Sequence, residues 1–196
     1  MIQANIGPEW NMPDYFAQSL ILGPMYGFGY VPPRQLDHDD LRNRQLYLES
    51  EGDIRAGSPK GAAGLFQIMP NTLQWYQDST GHIGDVFDPV YNESVRDWAL
   101  QKNYNSDWAK YGNPTDKGRW ARAYAAYNYG ASNLGKAIRK AEREGIDVVN
   151  GDGWMTYLPD ETKSYVNFIM NSIDSSRYKT QENYNTWLNS GNPYIK

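Results

Sequence analysis

The chain has 196 residues and a mass of 22.4 kDa, which is the length of one domain with room for short extensions. It carries 19 basic and 23 acidic residues, and the formal net charge of -4 argues against general binding to nucleic acid or to an anionic membrane. It contains no cysteine, which excludes disulfides, thiolate metal ligands and thiol nucleophiles. With 16 Tyr and 7 Trp, the core and the grooves must be built largely from amphipathic rings.

The two ends of the chain differ from its middle. Residues 1–36 lack clear periodicity and close with Pro32 and Pro33, so we interpret them as an irregular N-terminal extension. Residues 175–196 are polar with scattered rings, and we expect them to pack on the domain or to trail from it as a C-terminal extension. A single folded domain over 37–174 is predicted between them.

Neither a signal peptide nor a membrane segment is expected from the first part of the sequence. Residues 1–16 contain Glu9 and Asp14 but no Lys or Arg ahead of an apolar run. The most apolar stretch, 20–31, is interrupted by glycines and is shorter than the ~20 residues that a spanning helix needs. The sequence therefore predicts no membrane insertion.

From residue 37 onwards, hydrophobic periodicity predicts a mainly helical domain. The first predicted helix covers 39–51, with acidic residues at its start, Gly52 after its end and Glu49 in its last turn. A loop, a short extended piece and a helix follow over 56–64, 65–69 and 70–79. Further helical patterns lie around 95–99, 108–111, 120–127, 134–141 and 159–173.

Glu49 is the first candidate for chemistry. It stands at a helix end before a loop of small residues, where a carboxyl can line a groove beside apolar rings. Such surroundings raise the pKa of a carboxyl and keep it protonated, as the general acid of glycosidic cleavage must be. The alternative on position alone is an ordinary solvated glutamate.

Four segments, in a fixed order, carry a resemblance to a known family. They read LESEGDIRAGSPKGAAGLFQIMP at 48–70, FDPVYN at 87–92, AAYNYG at 125–130 and LPDETKSYV at 158–166. Together they resemble the soluble lytic transglycosylase domain of glycoside hydrolase family 23, the group that includes goose-type lysozymes. The resemblance covers about 39–174. Phe66 and Tyr129 depart from the family pattern, in which a methionine and a small residue are usual.

The resemblance implies a lysozyme-like α+β fold, mainly α, with a small extended region after the helix that carries Glu49. It implies cleavage of the β-1,4 bond between N-acetylmuramic acid and N-acetylglucosamine in peptidoglycan, with formation of 1,6-anhydromuramic acid. Glu49 would act first as acid and then as base, while the 2-acetamido group of the substrate attacks the anomeric carbon. No metal or cofactor is needed. We expect a monomer that acts on the bacterial cell wall, in the periplasm or outside the cell, after delivery by a phage or release by lysis; a bacterial periplasmic enzyme is the alternative.

The resemblance also assigns substrate-binding roles, to Ser58, Gln67, Tyr127, Asn128, Glu161 and Tyr165. Ser58 would hydrogen-bond the acetamido group or Glu49, and Gln67 would hold the sugar beside the scissile bond. Tyr127 would orient the acetamido group, and the other three would line the same groove. Structural roles are the alternatives: core tyrosines, a helix-end asparagine cap and a first-turn acid.

Other functions stay open on the sequence. A hydrolytic muramidase would need a second carboxylate to activate water, and Asp53, Asp78, Asp85 and Asp88 are candidates. A non-catalytic module that binds the wall or builds a virion would keep the groove without turnover. The acidic run 37–40, which includes His38, could hold a metal ion but is more simply the acidic start of a helix.

Overall fold

The computed structural model describes residues 36–149 and 151–171. The two predicted extensions lie outside the described residues, except for Leu36. Seven α-helices and one 3-10 turn make up most of these described residues, and the predicted mainly helical fold class is confirmed. None of the described helices has both the length and the apolar content to cross a bilayer.

The helices are α1 (His38–Ser50), α2 (Pro70–Thr80), α3 (Pro89–Tyr104), α4 (Asp107–Lys110), α5 (Asp116–Tyr129), α6 (Ala131–Arg143) and α7 (Asp160–Asn171), with the 3-10 turn at Gly153–Met155. Local chemistry sets the start of α1: the Asp37 carboxylate accepts hydrogen bonds from the backbone N–H groups of Asp39 and Asp40, at 3.1 and 3.2 Å. Asp40 in turn pairs with Arg44. Two acids of the run 37–40 therefore have structural partners in α1.

Helix α5 lies at the centre of the described domain and packs against α3, α4, α6 and α7. Ala123 and Ala125 on this helix are completely buried, and their small side chains let the neighbouring helices approach closely. Helix α1 packs against α7. This pairing brings the last turn of α1, with Glu49, against Tyr165 of α7.

Apolar side chains form two buried clusters. The larger cluster includes Tyr124 and Ile169, and the smaller one includes Leu46 and Phe66. Tyr127 packs against both clusters. The last turn of α5 is therefore held between the two parts of the core.

The extended region after α1 is reduced to isolated bridges. These antiparallel bridges join Gly57 with Ala63, and Ala63 with Ile68. The predicted extended piece over 65–69 is mostly wrong, because 64–67 forms a turn in which Gly64 and Gln67 have φ values of 75° and 46°. Two positive φ values so close together cannot occur in a strand.

One buried asparagine of α3 anchors this turn. The Nδ2 of Asn92 donates to the carbonyls of Ala63 at 3.1 Å and Val86 at 2.7 Å, and its Oδ1 accepts from the backbone N–H of Phe66 at 2.9 Å. A Cβ at Gly64 would lie 2.3 Å from that Nδ2, so only glycine fits there. The side chain of Asn92 therefore fixes this turn to α3.

Candidate active site

Glu49 lies in the last turn of α1, as predicted, and its carboxyl faces α7. The Tyr165 hydroxyl donates a hydrogen bond of 2.6 Å to Oε1 of Glu49. Tyr165 is buried, whereas Glu49 is only half-buried. A buried donor thus holds the carboxyl of a residue that is itself only partly buried.

The surroundings of Glu49 change its acidity. Burial raises the pKa of Glu49 from 4.5 to about 7, while the hydroxyl of Tyr165, the amide of Gln45 and then the charge of Arg96 oppose that rise. The negative charge of Glu161 contributes to the raised pKa. At neutral pH a large fraction of Glu49 is therefore protonated, as a proton donor requires.

An open cleft of about 370 Å³ begins at the Glu49 carboxyl. Its described lining consists of Leu48, Glu49, Asn128, Glu161, Ser164, Tyr165 and Phe168. Four residues that the sequence analysis singled out, on three different helices, thus meet in one cleft. A larger cavity of about 420 Å³ lies between 113–118 and 151–155, and none of the predicted site residues lines it.

Asn128 and Glu161 belong to the lining of this cleft. Oδ1 of Asn128 accepts a hydrogen bond of 2.7 Å from the hydroxyl of Thr162, which is buried in α7. This bond ties the end of α5 to the start of α7 and leaves the Asn128 amide nitrogen for another partner. Glu161 is exposed beside it.

Tyr127 occupies the position between the cleft and the anchored turn. Its hydroxyl donates to the carbonyl of Phe66 at 2.8 Å. Burial, and next the charge of Glu49, raises the pKa of Tyr127 well above its usual value, so that the hydroxyl stays protonated and acts as a donor. The same two causes raise the pKa of Tyr165. Tyr127 thus connects the neighbourhood of Glu49 to the residue before Gln67.

Ser58 and Gln67 both lie in the loop between α1 and α2. The Ser58 hydroxyl accepts from the backbone N–H of Ala62 at 3.0 Å, and Nε2 of Gln67 donates to the carbonyl of Gly64 at 3.0 Å. Neither residue belongs to the described lining of the cleft around Glu49. Both side chains are half-buried and shape the loop in this structure.

The four aspartates considered as a second carboxylate all have local partners. Asp88 accepts from the backbone N–H of Tyr91 at 2.8 Å and caps α3. Asp53, Asp85 and Asp78 accept bonds of 2.8, 2.9 and 2.8 Å from groups at most four residues away. None of them lines the cleft, whereas Glu161 does.

Sequence reasoning missed two buried polar residues close to Glu49. Gln45 is completely buried one turn before Glu49, and Arg96 of α3 is 7% exposed. Nε of Arg96 donates to Oε1 of Gln45 at 2.7 Å. A signal existed for both, since each has the helical spacing of a core position, four residues after Leu41 and Asn92, yet is polar.

These observations define a helical domain whose surface cleft is centred on a single partly buried, protonatable glutamate. The model of the family described as "Transglycosylase SLT domain" matches residues 46–150, which is more than half of the sequence. The chain therefore belongs to the SLT transglycosylase domain family.

Two curated relatives agree with this assignment. Both are membrane-bound lytic murein transglycosylase D, one from Escherichia coli K12 and one from Escherichia coli O6:H1, and each is 31% identical over 119 residues. The alignment covers 61% of this chain but 24% of each relative, so the chain spans about a quarter of their length. No solved structure matches the chain significantly.

Proposed function

We propose that this protein is a peptidoglycan lytic transglycosylase that cuts the β-1,4 bond between N-acetylmuramic acid and N-acetylglucosamine in the bacterial cell wall. The observation that carries the proposal is the protonatable carboxyl of Glu49. Burial raises its pKa to about 7, and the residue lines an open cleft. Membership of the SLT family and the likeness to lytic murein transglycosylase D support the same activity.

The proposed reaction uses Glu49 twice. The protonated carboxyl gives its proton to the glycosidic oxygen as that bond breaks, and the 2-acetamido oxygen of the muramic residue bonds to the anomeric carbon. Glu49, now a carboxylate, takes the proton of the C6 hydroxyl as this oxygen displaces the acetamido group. The products are a 1,6-anhydromuramic end and a free N-acetylglucosamine end. A pKa near 7 suits both roles at neutral pH.

The other proposed site residues are the cleft residues, the two loop residues and Tyr127. Tyr165 orients Glu49 through their 2.6 Å hydrogen bond, and Asn128 and Glu161 contact the glycan in the same cleft. Gln67 and Ser58 act from the loop between α1 and α2, on the part of the glycan that extends beyond this cleft. Tyr127, beside Glu49, orients the acetamido group of the substrate. The monomeric state and delivery by a phage or by lysis stay predictions.

A hydrolytic muramidase is the second candidate, and Glu161 is the observation that favours it. Its carboxyl shares the cleft with Glu49 and is close enough to influence it electrostatically. A carboxylate in that position could deprotonate an attacking water. Digestion in 18O-labelled water separates the two candidates, since hydrolysis places the label on the new reducing end and transglycosylation does not.

Wall binding and turnover must be measured separately to test the proposal. We expect Glu49→Gln to sediment with purified peptidoglycan as the wild type does but to release no soluble fragments. Glu142→Gln is the matched control, because it makes the same exchange at an exposed acid of α6 outside the cleft and should keep wild-type turnover. Equal release by the wild type and Glu49→Gln would refute Glu49 as the acid. Binding without release by the wild type would favour the non-catalytic module.

A further inference from the structure

Gln45 and Arg96 form a buried polar pair close to Glu49. Gln45 lies one helical turn before Glu49 on α1, and its side chain is completely buried. Its Oε1 accepts the 2.7 Å hydrogen bond from Nε of Arg96. Arginine can only donate, so this bond determines which way the amide points: the oxygen faces α3 and the N–H₂ group is left for the opposite side.

Arg96 is itself held at several points. Its other nitrogens donate to the hydroxyl of Tyr124 at 3.1 Å and to the carboxylate of Asp97 at 2.6 Å. Its guanidinium carbon also lies 5.2 Å from the centre of the Phe66 ring. An arginine fixed in this way cannot turn to release the amide of Gln45.

The amide nitrogen of Gln45 is the unusual atom. It is buried, and it makes no hydrogen bond of regular geometry to any residue in the described ranges. Its amide nevertheless lies close enough to lower the pKa of both Glu49 and Tyr165. A buried donor without a partner costs free energy, and an apolar side chain of the same size would avoid that cost. A carboxylate is a stronger acceptor than a neutral carboxyl, and the amide accordingly favours the ionised form of Glu49.

We propose that Gln45 is a positioning residue for Glu49: Arg96 fixes its amide so that the N–H₂ group receives and holds the carboxylate formed when Glu49 gives up its proton. This inference rests on the proposed function, in which Glu49 alternates between acid and base. The charged and titratable groups that face Glu49 from the other helices are Arg96 of α3, Tyr127 of α5, and Glu161 and Tyr165 of α7.

The pH dependence of turnover tests the proposal, with Gln45→Met as the main variant. Methionine keeps the length of the side chain but cannot donate, so the Glu49 carboxylate loses a stabilising partner. The alkaline limb of the pH–rate profile should then move up by about one pH unit. Gln77→Met is the matched control, because it makes the same exchange at an amide that donates to Tyr91 outside the cleft around Glu49. The alkaline limb of the Gln77→Met profile should stay at the wild-type pH.

A merely structural role for Gln45 would lower the rate at every pH and leave the limb unmoved, and this result would overturn the proposal. Arg96→Lys is the second variant, in case Gln45→Met does not fold. It keeps the positive charge but gives up the Nε–H bond that orients Gln45, so its limb should also move up, by less. An unmoved limb in a folded Arg96→Lys protein would likewise count against the proposal.

A titration of the Glu49 carboxyl by NMR separates this inference from the proposed function, because it needs no turnover. An unchanged Glu49 pKa in Gln45→Met overturns the inference even if the enzyme is active. A pKa that rises in this variant, in a protein that never releases wall fragments, refutes the transglycosylase proposal and retains the coupling between Gln45 and Glu49.

Discussion

Replacing Glu49 by glutamine should make the protein more stable at neutral and alkaline pH. Burial raises the pKa of Glu49 from 4.5 to about 7, so the folded protein holds this proton more tightly than the unfolded chain does. Below about pH 4.5 the carboxyl is neutral in both states and costs nothing. Above pH 7 it is charged in both states, and the folded state bears the penalty. At ~1.4 kcal/mol per pKa unit, that penalty is about 3 kcal/mol.

Glutamine has nearly the same shape and no charge, so it removes the penalty and can still accept from Tyr165. Urea unfolding of the wild type and Glu49→Gln at pH 4 and pH 8 measures the effect. We expect nearly equal free energies of unfolding at pH 4 and a gain of about 3 kcal/mol for the variant at pH 8. Glu142→Gln, at an exposed carboxyl of α6, should change stability by no more than ~0.5 kcal/mol. A gain that is the same at both pH values, or a loss at pH 8, would refute the reasoning.

Three further substitutions test the site and its support. Tyr165→Phe removes the hydrogen bond that favours the Glu49 carboxylate, so the alkaline limb of the pH–rate profile should rise by about one pH unit, and an unmoved limb would contradict this. Glu161→Gln removes a neighbouring negative charge that raises the pKa of Glu49, so the alkaline limb should move to lower pH. A shift to higher pH would contradict this. Asn92→Ala breaks the three hydrogen bonds that anchor the turn containing Phe66 and should lower the free energy of unfolding by about 3 kcal/mol in urea. A loss below about 1 kcal/mol would show that the turn does not depend on them.

The sequence predicted the helices well because their ends carry unambiguous signals. Acidic residues precede α1 and proline opens α2, and both signals were read from the sequence. The start of α3 was not predicted, although Asp88 caps it and Pro89 opens it. The position of Glu49 in the last turn of α1 followed directly from those limits. The extended piece over 65–69 was mostly wrong, because the positive φ of Gln67 depends on the anchoring of the turn by α3, a contact distant in sequence.

The family motifs named candidate site residues but not the contacts between them. The resemblance named Glu49, Asn128, Glu161 and Tyr165, and these four meet in one cleft. It could not show that the hydroxyl of Tyr165 points at Glu49, because that contact depends on how α1 packs against α7.

Gln45 and Arg96 went unnoticed for a related reason. Each is a polar residue at a core position, and only the hydrogen bond between their side chains in the structure shows that they are partners. Periodicity marks such a position as buried but does not reveal what satisfies a polar group there.

Mass spectrometry of the fragments released from purified peptidoglycan tests the central claim most directly, with wild type and Glu49→Gln side by side. We predict terminal muramic residues lighter than a reducing end by one water in the wild-type digest, and none in the Glu49→Gln digest. Reducing ends of full mass from the wild type would contradict a transglycosylase with a single catalytic glutamate.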